Sequence, residues 1–216
     1  MNEAYREPMK MTPNALRWMD VSLPEPSGNL QLDEELLARG QAVLRVWESA
    51  RECVVMGQSG RAESEARLDA CEESGVPVLR RCSGGGTVVL GPGCLNYALV
   101  LPLEWDPRWR DVGYSLRWVM QRMRAALALP GLRIAGHCDL ALQERKVSGN
   151  AQRRARTAFL HHGTLLYDFD LDRAERLLRM PARRPAYRGD RGHAAFLTNI
   201  PLSALEIRQR LAEAWC

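Results

Sequence analysis

The sequence predicts a single domain of the α+β class. A chain of 216 residues is long enough for one domain with a sizeable hydrophobic core. Short apolar runs bounded by turn residues recur along the chain, as in strands that are joined by hairpins. Segments with apolar residues at helical spacing are gathered between these runs and do not alternate regularly with them, as they would in a doubly wound α/β domain. We therefore expect residues 1–216 to form one α+β domain.

In the first half of the chain, apolar spacing and turn residues define a series of predicted elements. Residues 1–14 lack such a pattern and are interpreted as a loose arm. The first helix is predicted where leucines recur at helical spacing and Gly40 follows as a C-cap. The predicted elements are a strand at 16–23, this helix at 27–39, paired strands at 43–47 and 53–56, a helix at 61–74, and strands at 76–79 and 96–101.

The second half begins with a long predicted helix, in which Trp118, Met120 and Met123 are interpreted as core residues. Short strands follow it, and a segment rich in Arg, Pro and Gly is interpreted as a loop. The predicted elements are the long helix at 114–127, strands at 132–135, 139–143, 147–151 and 157–168, a helix at 171–179, the loop at 181–192, and a closing helix at 201–215.

Charge and cysteine usage limit the classes of partner and compartment. The net charge is +4 and the positive charge comes almost entirely from arginine, so the composition favours neither nucleic acid nor a membrane surface as a partner. No apolar run approaches the length of a membrane span, and the polar N-terminus does not resemble a signal peptide. The six cysteines form no C-x-x-C pair and no zinc spacing. We therefore expect a cytoplasmic protein with reduced thiols.

Three consecutive glycines form the first candidate site, in a loop between two predicted strands. Gly84, Gly85 and Gly86 pack nothing themselves, but their backbone N–H groups can approach a ligand closely and form an anion-binding concavity. Arg81 adds a positive charge on one side, and Val88 begins an apolar wall on the other. The loop therefore favours a ligand with one charged and one apolar end. The alternative interpretation is a hairpin with a loose glycine-rich turn.

A single interior lysine forms the second candidate site. The chain has only two lysines, Lys10 and Lys146, and uses arginine elsewhere for positive charge. A lysine ammonium is a compact point charge and a guanidinium is a planar fork, so the two are not equivalent at a reacting centre. The alternative is an ordinary surface lysine.

Together, three motifs resemble those of the lipoate–protein ligase family, within the superfamily of biotin and lipoate ligases and octanoyltransferases. Residues 81–88 match R-x-S-G-G-G-x-V, residues 145–151 match R-K-x-S-G-[SN]-A, and residues 161–166 match H-H-G-T-L-L. Weaker matches occur at residues 32–37, 54–57 and 96–97. The resemblance covers about residues 30–180, and the three motifs occur in the expected order.

The resemblance implies both a fold and an activity. The implied fold is a mixed, largely antiparallel sheet flanked by helices, like the catalytic domain of biotin and lipoate ligases and class II synthetases. The implied activity is ATP-dependent attachment of lipoate or octanoate, through an acyl-adenylate and with Mg²⁺, to the acceptor lysine of lipoyl-domain proteins. Such acceptors are the E2 subunits of 2-oxoacid dehydrogenases and the H protein of glycine cleavage. Many ligases of this family carry a C-terminal accessory domain; we expect none within residues 1–216, and therefore expect a separate accessory subunit as a candidate partner.

The chemistry of acyl activation assigns roles to individual residues. An acyl-adenylate requires donors for phosphate oxygens, a cation for developing charge and an apolar slot for the acyl chain. Each fixed charge that points at the charge developing in the reaction stabilises the transition state by about 3–4 kcal/mol. No motif identifies a protein ligand for Mg²⁺, and Asp139 is a candidate. We expect Lys146 to be the catalytic residue, and the predicted binding residues are Arg81, Ser83, Gly84, Gly85, Gly86, Thr87, Val88, Val89, Asn96, His162 and Gly163.

The histidines and one polar residue are interpreted from their neighbours. His161 and His162 are adjacent on a predicted strand, so at most one of them faces the site. His162 is expected to line the pocket or to be held structurally, and Asn96 is expected to tie the glycine loop to its strand. His137 and His193 are interpreted as surface or loop residues.

Two other functions remain open at this stage. An octanoyltransferase would carry the acyl group from acyl carrier protein through a cysteine thioester without ATP, and Cys138 is the candidate thiol. A non-catalytic subunit would only hold lipoylated protein. An arginine cluster is either a solvated face or a dock for an acidic acceptor domain, and its members are Arg179, Arg183, Arg184, Arg188 and Arg191.

Overall fold

The largest sheet of the domain has five strands. A computed structural model describes residues 16–216, so the loose arm predicted at residues 1–14 lies outside the described residues. The strand order is β1-β2-β6-β11-β10; β1 and β2 are parallel and all other pairs are antiparallel. The strands are β1 (Arg17–Asp20), β2 (Val43–Glu48), β6 (Cys94–Pro102), β10 (Asn150–Arg154) and β11 (Ala158–Leu166).

Two three-stranded sheets carry parts of the glycine and lysine motifs. The first, in the order β4-β3-β5, flanks the glycine loop, and the second, in the order β7-β8-β9, carries residues 145–148 of the lysine motif, which continues into β10 of the five-stranded sheet. Only the β3–β4 pair in these sheets is parallel. The strands are β3 (Cys53–Met56), β4 (Val78–Arg80), β5 (Val88–Leu90), β7 (Arg133–Ala135), β8 (Asp139–Leu142) and β9 (Arg145–Ser148).

Helices cover both faces of the five-stranded sheet. Met120 and Met123 of α4 pack with α7 in the largest core cluster, which confirms their predicted core role, and Trp118 packs half-buried against that cluster. On the opposite face, Leu36 and Leu37 of α1 pack in a smaller cluster. The helices are α1 (Pro26–Arg39), α2 (Ala62–Glu65), α3 (Leu68–Glu73), α4 (Val112–Leu127), α5 (Leu171–Leu177), α6 (His193–Phe196) and α7 (Ala204–Trp215). The mixed sheets with flanking helices confirm the predicted α+β class.

The predicted helix α1 has the ends that its sequence specifies. Pro26 occupies its first turn, and Gly40 caps it in the left-handed region at φ 65°, where its N–H donates to the carbonyls of the last turn. A buried ion pair then fixes the helix to the sheet, because Asp33 Oδ1 lies 2.6 Å from Nη1 of Arg45 on β2.

Several predicted elements differ from those observed. The strands predicted at 43–47 and 53–56 do not pair with each other, because β2 joins the five-stranded sheet and β3 joins the sheet around the glycine loop. The helix predicted at 61–74 is interrupted after Glu65, where the backbone instead bonds to the end of α5: Arg67 N donates to Leu177 O and Arg179 N to Glu65 O.

The segment predicted as a loop at 181–192 contains a 3₁₀ turn, Ala186–Arg188, and α6 follows it. His193, interpreted from sequence as a surface or loop residue, is buried at the start of α6, where its Nε2 lies 3.2 Å from Arg179 O. His137 is exposed, as expected. Among residues 16–216, no helix is both long enough and apolar enough to cross a membrane.

Candidate active site

The glycine loop connects β4 to β5 and is held from within by Arg81. The Arg81 guanidinium donates to Ser83 Oγ (3.0 Å), Gly84 O (2.7 Å) and Gly86 O (2.9 Å), and also to Val55 O on β3 (3.2 Å). Burial lowers the pKa of Arg81 to about 10, so its charge persists at neutral pH. The sequence predicted Arg81 as a donor to a ligand, whereas its hydrogen bonds in the structure shape the loop.

The three glycines are exposed and leave room beside them. Gly85 has φ 92°, a conformation that favours glycine, whereas a Cβ at Gly84 or Gly86 would meet no atom within 4 Å. A Cβ built on Gly85 would lie 4.0 Å from the Cβ of Ala151, so the glycine loop lies against the lysine motif. The two predicted site segments therefore meet, with open space over the backbone of the loop.

His162 contacts the same loop. Its Nε2 lies 2.6 Å from Oγ of the buried Ser83, which also accepts the bond from Arg81. Burial and the positive charge of Arg81 lower the pKa of His162 far below its ordinary value, so the ring is neutral at physiological pH. His162 thus supplies a neutral polar wall beside the glycines and is poorly suited to be a general base.

His161 faces the opposite side of β11, as the strand periodicity predicted. It is fully buried, stacks on Tyr97 at 6.0 Å between ring centroids, and neither of its ring nitrogens has a hydrogen-bond partner among the described residues. Burial lowers the pKa of His161 to about 3. This histidine is therefore a neutral core residue.

Lys146 on β9 is paired with Asp139 on β8. Its Nζ lies 2.8 Å from Asp139 Oδ1, with the lysine side chain 23% and the aspartate side chain 13% exposed. The other aspartate oxygen, Oδ2, accepts a hydrogen bond of 2.8 Å from the Tyr187 hydroxyl. A Cβ at Gly149 would lie only 2.7 Å from Lys146 Nζ, so the lysine side chain passes directly over this glycine. The sequence analysis missed Tyr187, because no motif or periodicity marks it.

Asn150 connects the lysine motif to the core. Its Nδ2 donates to Cys138 O (2.7 Å) and Ser148 Oγ (3.1 Å), and its Oδ1 accepts from the Tyr97 hydroxyl. Asn150 is paired with Gly163 across β10 and β11, and a Cβ at Gly163 would overlap the Asn150 amide. Gly163 therefore makes room for Asn150, whereas the sequence predicted it as a binding residue.

Cys138 is the nearest thiol to the lysine motif along the chain. Its Sγ donates to Asn150 O at 2.8 Å, and burial, with the nearby Asp139 carboxylate, raises the pKa of the thiol to about 11. Cys138 is therefore a protonated, hydrogen-bonded thiol at neutral pH and lacks the thiolate that an acyl-thioester mechanism requires.

The remaining predicted site residues contact the elements next to the glycine loop. Thr87 donates to Glu65, and Val88 and Val89 pack against the core cluster around β3. Asn96 is buried, and its Nδ2 donates to Trp47 O (3.4 Å) and Cys94 O (3.2 Å). The expectation that Asn96 ties the glycine loop to its strand is thus wrong, because its side chain bonds β6 to β2.

Comparisons with known proteins identify the family to which the chain belongs. A family model described as the lipoyl protein ligase A/B catalytic domain matches residues 25–213. A curated relative from Aeropyrum pernix, described as "Putative lipoate-protein ligase A", is 30% identical over 195 residues, which cover 88% of this chain and 70% of the relative.

Two solved structures share the fold over 92% of this chain. One is a lipoate–protein ligase A bound with ATP, with a TM-score of 0.79, 22% identity and 83% of that chain covered. The other, from Thermoplasma acidophilum, belongs to a study of a bipartite lipoate protein ligase and its E2 lipoyl domain, with a TM-score of 0.78, 23% identity and 81% covered. With the family match over residues 25–213, these findings establish that the chain belongs to the lipoate–protein ligase family, as a lipoyl protein ligase A/B catalytic domain.

Proposed function

We propose that this domain activates lipoate or octanoate with ATP and transfers the acyl group to a lysine of a lipoyl-domain protein. The observation that carries the proposal is the position of Lys146. Its ammonium lies 2.8 Å from Asp139, in a motif that packs against the exposed backbone of the glycine loop. A cation in a motif that contacts an exposed glycine backbone suits the charge that develops when a carboxylate is adenylated.

The proposed reaction has two steps. In the first, a carboxylate oxygen of the acid attacks the α-phosphorus of ATP, an acyl–oxygen–phosphorus linkage forms, and pyrophosphate leaves. In the second, the neutral amine of the acceptor lysine attacks the acyl carbon, the amide forms, AMP leaves with the bridging oxygen, and the amine loses a proton to water. Lys146 stabilises the negative charge on phosphate oxygens in the first step and on the carbonyl oxygen in the second.

The molecules that were bound to or studied with the relatives support the substrates that we propose for this chain. One relative of the same fold binds ATP, and another belongs to a bipartite ligase that was studied with its E2 lipoyl domain. For this chain we accordingly propose ATP as a substrate, a lipoyl-domain acceptor, and a separate accessory subunit as a further partner.

Magnesium fits this site only together with phosphate. The described residues contain no group of three His, Cys, Asp or Glu side chains that could hold a metal ion. Mg²⁺ commonly binds through one or two carboxylates and substrate phosphates and keeps several waters. Asp139 would be its protein ligand, and the ion would neutralise phosphate charge; Lys146 would then exchange its contact with Asp139 for one with the substrate.

Neither rival function has a supporting observation. The Cys138 thiol is protonated and hydrogen-bonded, which disfavours the octanoyltransferase mechanism. A purely non-catalytic subunit would have no use for a half-buried lysine in a motif that contacts an open glycine loop.

The test is incubation with ATP, Mg²⁺ and either lipoate or octanoate, followed by mass spectrometry for acyl-adenylate and, after a lipoyl domain is added, for acylated protein. We expect wild type to form both products and both Lys146→Ala and Lys146→Arg to form neither, with unchanged unfolding transitions. Arg156→Ala, which removes an exposed cation in the β10–β11 turn, is the matched control. Near-normal activity of Lys146→Arg would contradict the role of Lys146.

A further inference from the structure

An arginine-rich surface lies beside the lysine motif. Between residues 179 and 191 the chain has five arginines and one acidic residue, Asp190. We call these five residues the arginine surface: Arg179, Arg183, Arg184, Arg188 and Arg191.

Little of this positive charge is compensated within the domain. The single ion pair of the arginine surface among residues 16–216 joins Arg184 to Asp190 at 3.3 Å, and the Asp190 side chain is fully exposed. Such an exposed pair contributes little. Arg183 is exposed and makes no hydrogen bond or ion pair with the described residues. Arg179 and Arg191 donate only to backbone carbonyls.

Arg188 is the buried member of the surface; it forms no ion pair among residues 16–216, although the Glu175 carboxylate lies close enough to stabilise its charge. It is 4% exposed, its guanidinium lies 4.8 Å from the centre of the Phe196 ring, and its Nε donates to Arg191 O at 3.0 Å. Its Nη2 is buried and has no hydrogen-bond partner in the described part of the chain. Arg188 therefore packs the segment against α6, and the positive charge that a partner can reach is carried by the exposed members Arg179, Arg183 and Arg184.

A short chain of contacts connects the segment of the arginine surface to Lys146. Tyr187, which precedes Arg188 in the sequence, donates a hydrogen bond of 2.8 Å to one oxygen of Asp139. The other oxygen of Asp139 lies 2.8 Å from Lys146 Nζ. Arg191 Nη1 also donates to Glu144 O at 2.9 Å, in the turn that leads into the lysine strand β9. A protein bound to this surface would therefore sit next to the site at which its lysine must be acylated.

We propose that the arginine surface docks the acceptor protein, which presents carboxylates to these arginines while its target lysine reaches Lys146. This inference rests on the proposed function. Two exposed apolar side chains on flanking segments, Leu68 (39%) and Met180 (41%), offer contacts that a folded protein partner buries. Opposite charges on the two surfaces would speed association and fix the orientation of the acceptor.

The test compares two charge-reversal variants with the same change in net charge. Arg183→Glu combined with Arg184→Glu reverses the arginine surface. Arg17→Glu combined with Arg156→Glu is the control, because both residues are exposed and their side chains have no hydrogen bond or ion pair among residues 16–216. Arg17 lies on the edge strand β1, and Arg156 lies in the β10–β11 turn, at the end of these strands away from Gly163.

Two measurements keep the docking proposal separate from the proposed function. The first is binding of an acidic lipoyl domain by calorimetry at low and high salt, which needs no catalysis. The second is ATP–pyrophosphate exchange with lipoate, which reports adenylate formation without an acceptor. We expect Arg183→Glu/Arg184→Glu to weaken lipoyl-domain binding about tenfold or more and to remove most of its salt dependence. Exchange should stay at the wild-type rate, and the control should behave as wild type in both assays.

Equal binding by the two charge-reversal variants would overturn the docking proposal. A raised KM for ATP in the exchange assay, with lipoyl-domain binding unchanged, would also overturn it and would identify a surface for nucleotide phosphates. Absence of exchange in wild type would instead count against the proposed function, and the calorimetry would still decide whether the arginine surface binds the acceptor.

Discussion

Replacement of Gly163 by alanine is expected to disrupt the connection between the lysine motif and the core. A Cβ at this position would overlap Oδ1 of Asn150 and would lie 3.0 Å from the carbonyl oxygen of Gly149. The Asn150 amide must then move, and it cannot do so while it bonds to Tyr97, Ser148 and Cys138. One methyl group therefore affects a network that positions the segment before Asp139.

The expected loss of stability follows from the contacts that the movement of the Asn150 amide would break. Two or three hydrogen bonds of a half-buried amide are lost at about 1 kcal/mol each. Forcing an extra methyl group into a packed site costs about 1–3 kcal/mol more. We therefore expect Gly163→Ala to lower the free energy of unfolding by about 4 kcal/mol, a large share of the roughly 5–15 kcal/mol of a typical domain. Gly84→Ala is the matched control, since a Cβ there meets no atom within 4 Å, and it should change stability by less than about 0.5 kcal/mol.

The assay is urea unfolding of four proteins: wild type, Gly163→Ala, Asn150→Ser and the double variant. Serine lacks the amide that the new methyl group would strike, so Gly163→Ala should cost little in the Asn150→Ser background. The expected coupling energy between the two positions is about 2–3 kcal/mol. Additive effects, or a cost below about 1 kcal/mol for Gly163→Ala alone, would refute the explanation of this glycine.

Three further outcomes are expected. Gly86→Val should leave the unfolding transition unchanged, since its side chain would project into open space. It should abolish binding of a non-hydrolysable acyl-adenylate mimic in calorimetry. Unchanged affinity would indicate that the loop is only a glycine-rich turn. Cys138→Ser should retain ATP-dependent acylation and lose about 1 kcal/mol of stability, and neither it nor wild type should transfer octanoate from acyl carrier protein without ATP. Burial lowers the pKa of His161 to about 3 from an ordinary value near 6.5, so the unfolded chain binds more protons between these values, and stability should fall as the pH drops below about 6.5. His161→Leu should reduce the slope of this decline in urea titrations from pH 4 to 8, while the contribution of the buried His162 remains, and an unchanged slope would contradict the assignment.

Features that depend on local spacing could be predicted from the sequence. The glycine loop lies between two strands, as its apolar flanks indicated, and His161 and His162 point to opposite faces because strand side chains alternate. The meeting of the glycine and lysine motifs followed only from the family resemblance, since the two segments are about sixty residues apart in the sequence.

Features that depend on distant partners could not be predicted. Arg81 was expected to face a ligand, but the direction of its donors depends on the path of the loop, which turns its own carbonyls toward the guanidinium. Tyr187 reaches Asp139 from a segment without periodicity, and its role is set by a contact across 48 residues. The break after Glu65 has the same kind of cause, because backbone bonds to the end of α5 replace those of a continuous helix.

The surroundings of Lys146 explain why a chain that otherwise favours arginine keeps lysine here. The ammonium lies 2.8 Å from Asp139 Oδ1 and passes over Gly149, where a Cβ would come within 2.7 Å of Nζ. A guanidinium is wider and planar, and it would bind the Asp139 carboxylate through two parallel hydrogen bonds. Such a pair would compete with the Tyr187 hydroxyl for Oδ2 and would hold the cation on the aspartate. Lysine contacts a single oxygen and rotates on a flexible stem, so it can leave Asp139 for phosphate and then for the acyl carbonyl, as the two proposed steps require.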